Sequence, residues 1–168
     1  QKARRTGLTF APEAGSWRMR QVINKLIREE DLYAAVESAY SQGWRRVKLY
    51  FLTGLPTETD QDTLGILEMA RRCVEVGRQH LRNPSVTVSV GGFVPKPFTP
   101  FQWFGQNTEA ELRRKVGLLR DELKRDTKGY RGVQLKWHDP RATAIEGLLS
   151  RGDRRVGAVV EDVWRSGG

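Results

Sequence analysis

The chain has 168 residues, of which 38% are hydrophobic, and its formal net charge is +9. This length can bury one good core, and this composition favours an ordered domain over a disordered chain. No apolar run approaches the roughly 18 residues needed to span a bilayer, and the first seven residues lack the apolar segment of a signal peptide, so we expect a cytoplasmic protein with no membrane partner.

Basic charge is concentrated at the two ends of the chain: residues 1–50 carry 10 basic and 5 acidic side chains, and residues 106–168 carry 14 and 10. Such a balance would suit a polyanion such as RNA. The simpler interpretation, which we favour, is that one amphipathic helix exposes a face of mixed charge. Its bases are Arg113, Arg114, Arg120, Lys124 and Arg125, beside the acids Glu111, Asp121 and Glu122.

The first third of the chain predicts a strand and two helices. Residues 7–12 are a short apolar strand, and apolar residues then recur at helical spacing from Met19 to Ile27. A second helix shows the same spacing from Leu32 to Tyr40, and Gly43 is placed to end it as a C-terminal cap.

The stretch VKLYFLTGLPTETDQD, residues 47–62, predicts a strand, a short loop and a helix. The strand at 47–52 is almost continuously apolar, as in a parallel sheet whose two faces are both covered by helices. Thr59 and Asp62 have the spacing of a helix N-cap and its N3 partner. The helix that follows has one apolar face, on which Cys73 is expected to be a buried thiol.

The second half of the chain contains a β-branched strand at 86–94 and then a loop rich in proline and aromatic residues, PKPFTPFQW. A helix over about 108–125, a short strand GVQLKW and two closing helices complete the chain. KWHDP, at 136–140, is interpreted as a surface turn, with a general acid or base as the alternative. Neither His80 nor His138 has the spacing of a metal ligand, so no metal site is predicted.

Alternating strands and helices predict an α/β fold with a parallel sheet and right-handed crossovers. The loops at 12–16, 53–59 and 92–103 then lie along the carboxyl edge of the sheet, where α/β proteins bind ligands.

Three segments, in the order LTFAPEAGSWRMRQVINK, KLYFLTGLPTETDQD and FVPKPFTPFQW, together resemble the later strands of the catalytic barrel of radical S-adenosylmethionine (radical SAM) enzymes. EGLLSRGDRR, at 146–155, resembles a further block of the same family. The resemblance is to the uncharacterised branch with a cobalamin-binding-like N-terminal domain, distantly related to the methylthiotransferases. It implies a partial (β/α) barrel over residues 1–105 and a helical C-terminal extension over residues 106–168 packed on it.

The resemblance also implies cofactor-binding residues in the first loop. Glu13 would accept the ribose hydroxyls of S-adenosylmethionine, Gly15 would let the backbone come close, and Ser16 would begin a helix whose N–H groups suit a carboxylate. The alternative from the residues alone is that Ser16 is an ordinary N-cap and Glu13 an exposed loop acid.

In the second and third loops the resemblance implies contacts with the adenine and methionine parts of the cofactor. Gly54 would allow backbone approach, with Leu55 and Pro56 as an apolar wall. Val94 and Pro95 would bracket the adenine. The aromatic side chains Phe98, Phe101 and Trp103 are expected to form local core, or else a lid or a stacking surface for RNA bases.

One feature departs from the family. The [4Fe–4S] cluster of radical SAM enzymes needs three cysteine ligands in a CxxxCxxC loop, and this chain has only Cys73. The chain is therefore expected to be part of a larger enzyme and to be inactive by itself, with catalytic residues unassigned. Its strand at 7–12 would be an open edge that pairs with the missing half of the barrel or with a second copy.

Two other functions remain open. Residues 106–168 could form a non-enzymatic RNA-binding module through Arg113, Arg114, Arg154 and Arg155. Alternatively, the chain could be an ordinary phosphate-binding α/β barrel that holds an anion at the 53–59 loop.

Overall fold

A computed structural model describes residues 7–168, which form a mixed α/β structure with four parallel strands and six helices. The strands lie in the sheet in chain order, so each is hydrogen-bonded to the strand that comes next in the sequence. The elements are β1 (Leu8–Glu13), α1 (Trp17–Val22), α2 (Glu29–Ser41), β2 (Arg46–Thr53), α3 (Asp60–Arg78), β3 (Ser85–Gly92), α4 (Glu109–Arg125), β4 (Val133–Trp137), α5 (Pro140–Arg151) and α6 (Val156–Arg165).

The main core lies on one face of the sheet. Val47, Leu49 and Phe51 are buried, and they pack in one cluster with side chains of α2, α3 and α4. Their register partners on β3, which are all valines, extend this apolar layer. Because side chains alternate between faces along a strand, the residues between them point the other way.

The opposite face of the sheet is polar, which corrects the expectation that helices cover both faces. It presents Lys48 and Tyr50 from β2, paired in register with Thr87 and Ser89 from β3. Lys48 donates a hydrogen bond to the Tyr50 hydroxyl at 2.6 Å, and its ammonium lies 4.3 Å from the centre of the tyrosine ring. The apolar run at 47–52 therefore has the alternation of a strand covered on one side.

The sheet is open. In residues 7–168, β1 is hydrogen-bonded only to β2, and β4 only to β3, so both are edge strands. The described strands therefore do not close into a barrel.

Helix α1 is shorter than its apolar spacing predicts. It ends at Val22 because Asn24 adopts a left-handed conformation with φ of 55°, and the Lys25 amide returns to the Arg20 carbonyl at 2.7 Å. Leu26 consequently lies outside the helix with 63% of its surface exposed. The cap predicted for α2 is confirmed, since Gly43 has φ of 86° and its amide donates to the Tyr40 carbonyl at 2.9 Å.

The C-terminal helices differ in how they are packed. Leu112, Val116 and Leu119 bury one face of α4, as predicted, and α5 packs against α4 and the end of β3. In α6 no residue is buried, and Trp164 is 73% exposed. None of the helices in the described part of the chain is long and apolar enough to cross a membrane.

Candidate functional site

A cleft of about 430 Å³ opens at the carboxyl edge of the sheet, and we call it the carboxyl-edge cleft. Its volume falls within the range of about 300–1,000 Å³ common for small-molecule sites. All four strand ends contribute to it. Its lining residues are Glu13, Tyr50, Phe51, Leu52, Gly91, Gly92, Phe93, Val94, Lys96, His138 and Glu146.

Two of the residues predicted to bind the cofactor, Glu13 from the first loop and Val94 from the third, line this one cleft. Glu13 has φ of 69°, a left-handed backbone conformation that residues other than glycine rarely adopt. Such backbone strain costs about 1 kcal/mol or more and is concentrated at functional sites. The Glu13 carboxylate lies 3.7 Å from Lys25 Nζ and is partly exposed, so it remains accessible to a ligand.

Ser16 is fully engaged in hydrogen bonds within the protein. It is the N-cap of α1, accepting a bond from the Met19 amide at 3.2 Å, and its hydroxyl donates to Asp62 Oδ1 at 2.6 Å. The ordinary N-cap alternative therefore describes its geometry, with a long-range bond to α3 in addition.

The Asp62 carboxylate accepts hydrogen bonds from the loop after β1 and from the loop after β2. Its Oδ2 accepts from the Thr59 amide at 2.8 Å and from the Thr59 hydroxyl at 2.7 Å, which completes the predicted capping box of α3. The Arg18 guanidinium forms an ion pair with the same oxygen. Burial opposes ionisation of this carboxyl, but hydrogen bonds from Arg18, Ser16 and Thr59 outweigh it and hold the pKa of Asp62 well below its usual range.

Gly15 allows the first loop to touch the backbone of α3. A Cβ on Gly15 would clash with the backbone of Asp62 and Ile66, and a Cβ on Gly65 would meet the Gly15 carbonyl oxygen at 2.5 Å. The two glycines therefore set the distance between β1 and α3. The absence of a side chain at Gly15 thus serves a contact with α3, and the predicted approach of its backbone to the cofactor stays a prediction.

The TGLPTET loop is held together by Glu58. This carboxylate accepts from the Thr53 hydroxyl at 3.1 Å and from the Gly54 amide at 2.7 Å. Lys115 Nζ of α4 lies 3.1 Å away, and both side chains of this ion pair are less than 5% exposed. The order of residues in the loop thus has a structural reason, because the Glu58 carboxylate binds the Thr53 hydroxyl and the Gly54 amide of the same loop. An anion bound at Gly54 would have to displace the Glu58 carboxylate.

The residues predicted to bind the cofactor in the second loop are not among the described residues that line the carboxyl-edge cleft; they are Gly54, Leu55 and Pro56. Gly54 has φ of 83°, and a Cβ there would approach Asn107 Nδ2 to 2.6 Å. Leu55 is buried in a small second core with Ala14 and other apolar residues of the loops. These positions are placed to support the loops rather than to contact a ligand in the cleft.

In the third loop the aromatic side chains separate into two groups. Phe101 packs edge-to-face on Phe93, with ring centroids 5.6 Å apart, and so forms local core as expected. Phe98 and Trp103 are 98% and 86% exposed. Pro95 is buried beside Val94. The aromatic lid predicted as the alternative is therefore limited to the two exposed rings, neither of which lines the cleft.

Lys96 and Glu146 also line the cleft and were not predicted as site residues, whereas His138 was considered within KWHDP as the alternative general acid or base. Lys96 Nζ contacts Glu146 Oε1 at 2.5 Å, and its second bond reaches Ser150 Oγ at 2.8 Å. His138 is exposed in the turn after β4, and its amide donates to the Val90 carbonyl at 2.9 Å. KWHDP is only partly a surface turn, because Lys136 and Trp137 end β4 and the buried Pro140 begins α5, and its exposed His138 lines the cleft. Its position directly after a strand was the signal that could have indicated this.

The cysteine is unsuited to metal binding. Cys73 is completely buried in the main core, and burial raises the pKa of its thiol to about 12. In residues 7–168 no group of three or more His, Cys, Asp or Glu side chains is placed to hold a metal ion.

Most of the arginines considered for RNA binding are engaged with acids. Arg113 pairs with Glu109 at 2.6 Å, Arg114 with Asp60 at 2.6 Å and Arg155 with Asp153 at 2.8 Å. The mixed-charge interpretation of α4 is confirmed, because Arg114 and Arg125 also contact Glu111 and Glu122 of the same helix.

These features define an α/β protein with a candidate ligand site at the carboxyl edge of an open parallel sheet. The chain is similar to an uncharacterized protein of the archaeon Methanocaldococcus jannaschii, with 32% identity over 149 residues. The match covers 89% of this chain and 31% of that protein, so the chain spans about a third of the relative's length. No protein-family model matches the chain.

Proposed function

We propose that the chain forms the S-adenosylmethionine-binding part of a radical SAM-type barrel. The observation that carries the proposal is that Glu13 and Val94, from two of the three loops that resemble this family, line one cleft of about 430 Å³ at the carboxyl edge of the sheet. The substrate would be a macromolecule such as RNA or protein, as in the related methylthiotransferases.

The arrangement of the sheet supports a barrel sector. Parallel strands in chain order, with α2, α3 and α4 packed on one face, are the repeating pattern of a (β/α) barrel, whereas doubly wound folds place helices on both faces. A barrel built from this sector would have the polar face with Lys48, Tyr50, Thr87 and Ser89 as its interior. The open edge of β1 would receive the preceding strand of the barrel, or a second copy of the chain.

The residues of the cleft suit an adenosine ligand. The Glu13 carboxylate can accept hydrogen bonds from both ribose hydroxyls, and Gly91 leaves the floor of the cleft without a side chain beside His138. Val94 offers an apolar wall for the base. Ser16 and Gly54 would act by positioning these loops, because their polar groups are used by Asp62 and Glu58.

The residues of this chain do not fit the [4Fe–4S] cluster. Cys73, its one cysteine, is buried in the core with a raised pKa, and three thiolates are required. We therefore propose that the cluster ligands come from another polypeptide segment. The greater length of the archaeal relative is compatible with this. The chain by itself is expected to bind the cofactor without cleaving it.

Calorimetric titration with S-adenosylmethionine and with 5′-deoxyadenosine tests the proposal. We expect both to bind, and Glu13→Gln to weaken binding about tenfold because a charge-assisted hydrogen bond contributes roughly 1.5–3 kcal/mol. Glu30→Gln is the matched control, since it removes the same charge from the exposed first turn of α2. Absence of binding, or equal affinities of the two variants, would contradict the proposal.

The same titration with inorganic pyrophosphate separates this function from an ordinary phosphate-binding barrel. Binding of pyrophosphate without any preference for adenosine compounds would favour the phosphate site at residues 53–59. Mass spectrometry of the purified sample adds a second readout, because a co-purifying polypeptide with a CxxxCxxC segment would identify the source of the cluster ligands.

A further inference from the structure

A second and larger cleft, of about 670 Å³, lies at the amino edge of the sheet, and we call it the amino-edge cleft. It is formed where α3 leads into β3 and where the turn after α4 leads into β4. Four basic side chains line it, and no acidic or aromatic side chain of the described residues does. The lining residues are Arg78, Arg82, Asn83, Pro84, Ser85, Lys128, Arg131 and Gly132.

The basic side chains of this cleft have no acidic partner in the part of the chain that the structure describes. Arg78 donates to the Arg131 carbonyl at 2.9 Å, which ties the two walls together and leaves the Arg131 guanidinium free. The nearby carboxylate of Asp126 accepts a bond from the Gly129 amide at 2.8 Å. On the helices, by contrast, arginines such as Arg71, Arg113 and Arg165 are paired with acids three or four residues away.

Compensation of helix dipoles does not account for this cleft. Bases in the last turn of a helix interact favourably with its free carbonyls, and Arg78 occupies that position in α3. Arg82, Lys128 and Arg131, however, lie beyond the last residues of α3 and α4. Four cations that line one cleft without acidic partners among the described residues repel one another, and an anionic ligand would relieve this repulsion.

We propose that the amino-edge cleft binds the phosphodiester backbone of a nucleic-acid duplex. Guanidinium groups match the geometry of phosphate oxygens, and four cations along one cleft can contact several phosphates of a backbone, whereas a single phosphate would leave most of them without a counter-charge. Because no aromatic side chain lines the cleft, it offers no surface for stacking of single-stranded bases. Contact with phosphates alone predicts little dependence on sequence.

This site is separate from the carboxyl-edge cleft. The two clefts lie at opposite ends of β3, whose eight residues span about 25 Å at roughly 3.3 Å per residue. The inference therefore does not depend on cofactor binding. It also differs from the RNA-binding module considered above, whose Arg113, Arg114 and Arg155 are paired with acids, because the amino-edge cleft combines Arg78 and Arg82 with Lys128 and Arg131, which pair with no acid of the described chain.

Fluorescence anisotropy with a labelled RNA hairpin of about 20 base pairs, and with a DNA duplex of the same sequence, tests the proposal across a range of salt concentrations. The double variant Arg82→Gln/Arg131→Gln removes two free cations from the cleft and preserves the backbone carbonyl that Arg78 contacts. The matched control Arg113→Gln/Arg155→Gln removes two charges from paired arginines elsewhere. Thermal melts of both variants check that the fold is intact.

We expect the cleft variant to bind about tenfold more weakly than the unmodified chain, and the slope of log K against log salt to fall by about two, one for each phosphate that the variant no longer neutralises. The control variant is expected to bind like the unmodified chain. Equal binding of RNA and DNA would identify phosphates as the shared ligand, whereas preference for RNA would add contacts with 2′-hydroxyls. No duplex binding at about 0.1 M salt, or equally weakened binding in both variants, would overturn the proposal.

Discussion

Ser16 and Asp62, 46 positions apart in the chain, are joined by a hydrogen bond of 2.6 Å between a hydroxyl and a carboxylate. The same carboxylate closes the capping box of α3 and pairs with Arg18. Asp62 therefore joins the loop after β1 to the start of α3, and we call this set of bonds the Asp62 lock. Glu13 lies three residues before Ser16, at the end of β1, so the Asp62 lock holds the loop that follows Glu13 while pairing with Phe51 of β2 holds Glu13 itself.

Replacement of Asp62 by Asn is expected to lower the free energy of unfolding by about 2 kcal/mol, because it removes a helix cap and charge-assisted bonds from a side chain that is only 8% exposed. Urea unfolding at pH 7 measures this loss. Asp121→Asn is the control, since this exposed acid of α4 makes no ion pair with the described residues. Equal stabilities of the two variants would show that the lock contributes little.

The same residue predicts a dependence of stability on pH. Because the folded-state pKa of Asp62 is held below the value of about 3.9 expected in the unfolded chain, its contribution is fully present above about pH 5 and is lost as the pH falls through and below 4. In Asp62→Asn, the drop in melting temperature between pH 6 and about pH 3 should be smaller than in the unmodified chain. Parallel curves for the two proteins would contradict the depressed pKa.

The buried pair Glu58–Lys115 predicts strong coupling between the two residues. Lys115→Met is expected to cost about 3 kcal/mol, because it leaves a carboxylate buried without its counter-charge. Adding Glu58→Gln should cost much less than the sum of the single changes, since the lone charge is then gone. A double-mutant cycle by urea unfolding measures the coupling. The exposed pair Arg155–Asp153 is the control, and strictly additive effects at Glu58 and Lys115 would refute the prediction.

Two glycines predict opposite effects of the same substitution. Gly15→Ala is expected to destabilise the chain by about 3 kcal/mol, because the added methyl group would clash with the backbone of α3. Gly117→Ala, in the interior of α4, adds a methyl group with nothing within 4 Å beyond its neighbours and the nearby backbone of its own helix, and is expected to stabilise the chain by about 0.5–1 kcal/mol. Thermal melts distinguish the two signs, and a neutral Gly15→Ala would show that the loop can move away from the helix.

The open edge of β1 predicts association through strand pairing. Sedimentation of the purified chain should show a dimer or a complex, and Thr9→Lys should shift it to the monomer, because lysine on an edge strand disfavours pairing. Gln134→Lys on the opposite edge strand is the matched control, since Gln134 is exposed like Thr9. A monomer in the unmodified chain, or dissociation only by Gln134→Lys, would exclude β1 as the contact.

The local features of this protein were determined by its sequence. Strand and helix periodicity predicted β2, β3, α3 and α4 within a few residues, and the Thr59–Asp62 spacing predicted the cap of α3. These features depend on neighbours within about one helical turn, so a short segment contains the information. The end of α1 at Val22 was missed, because the left-handed turn at Asn24 overrides an apolar spacing that continues to Ile27.

Tertiary structure decided which of the predicted site residues lie in the cleft. Glu13 and Val94 line it. Ser16 is instead hydrogen-bonded to Asp62, which is distant in the sequence, and Gly54 to Glu58, which lies later in the same loop. It also decided that one face of the sheet is left polar, and that Lys96, His138 and Glu146 join the cleft. Periodicity shows which residues share a face of a strand or helix. It does not show what packs on that face or which group a carboxylate binds, because these depend on contacts between segments that are distant in the sequence.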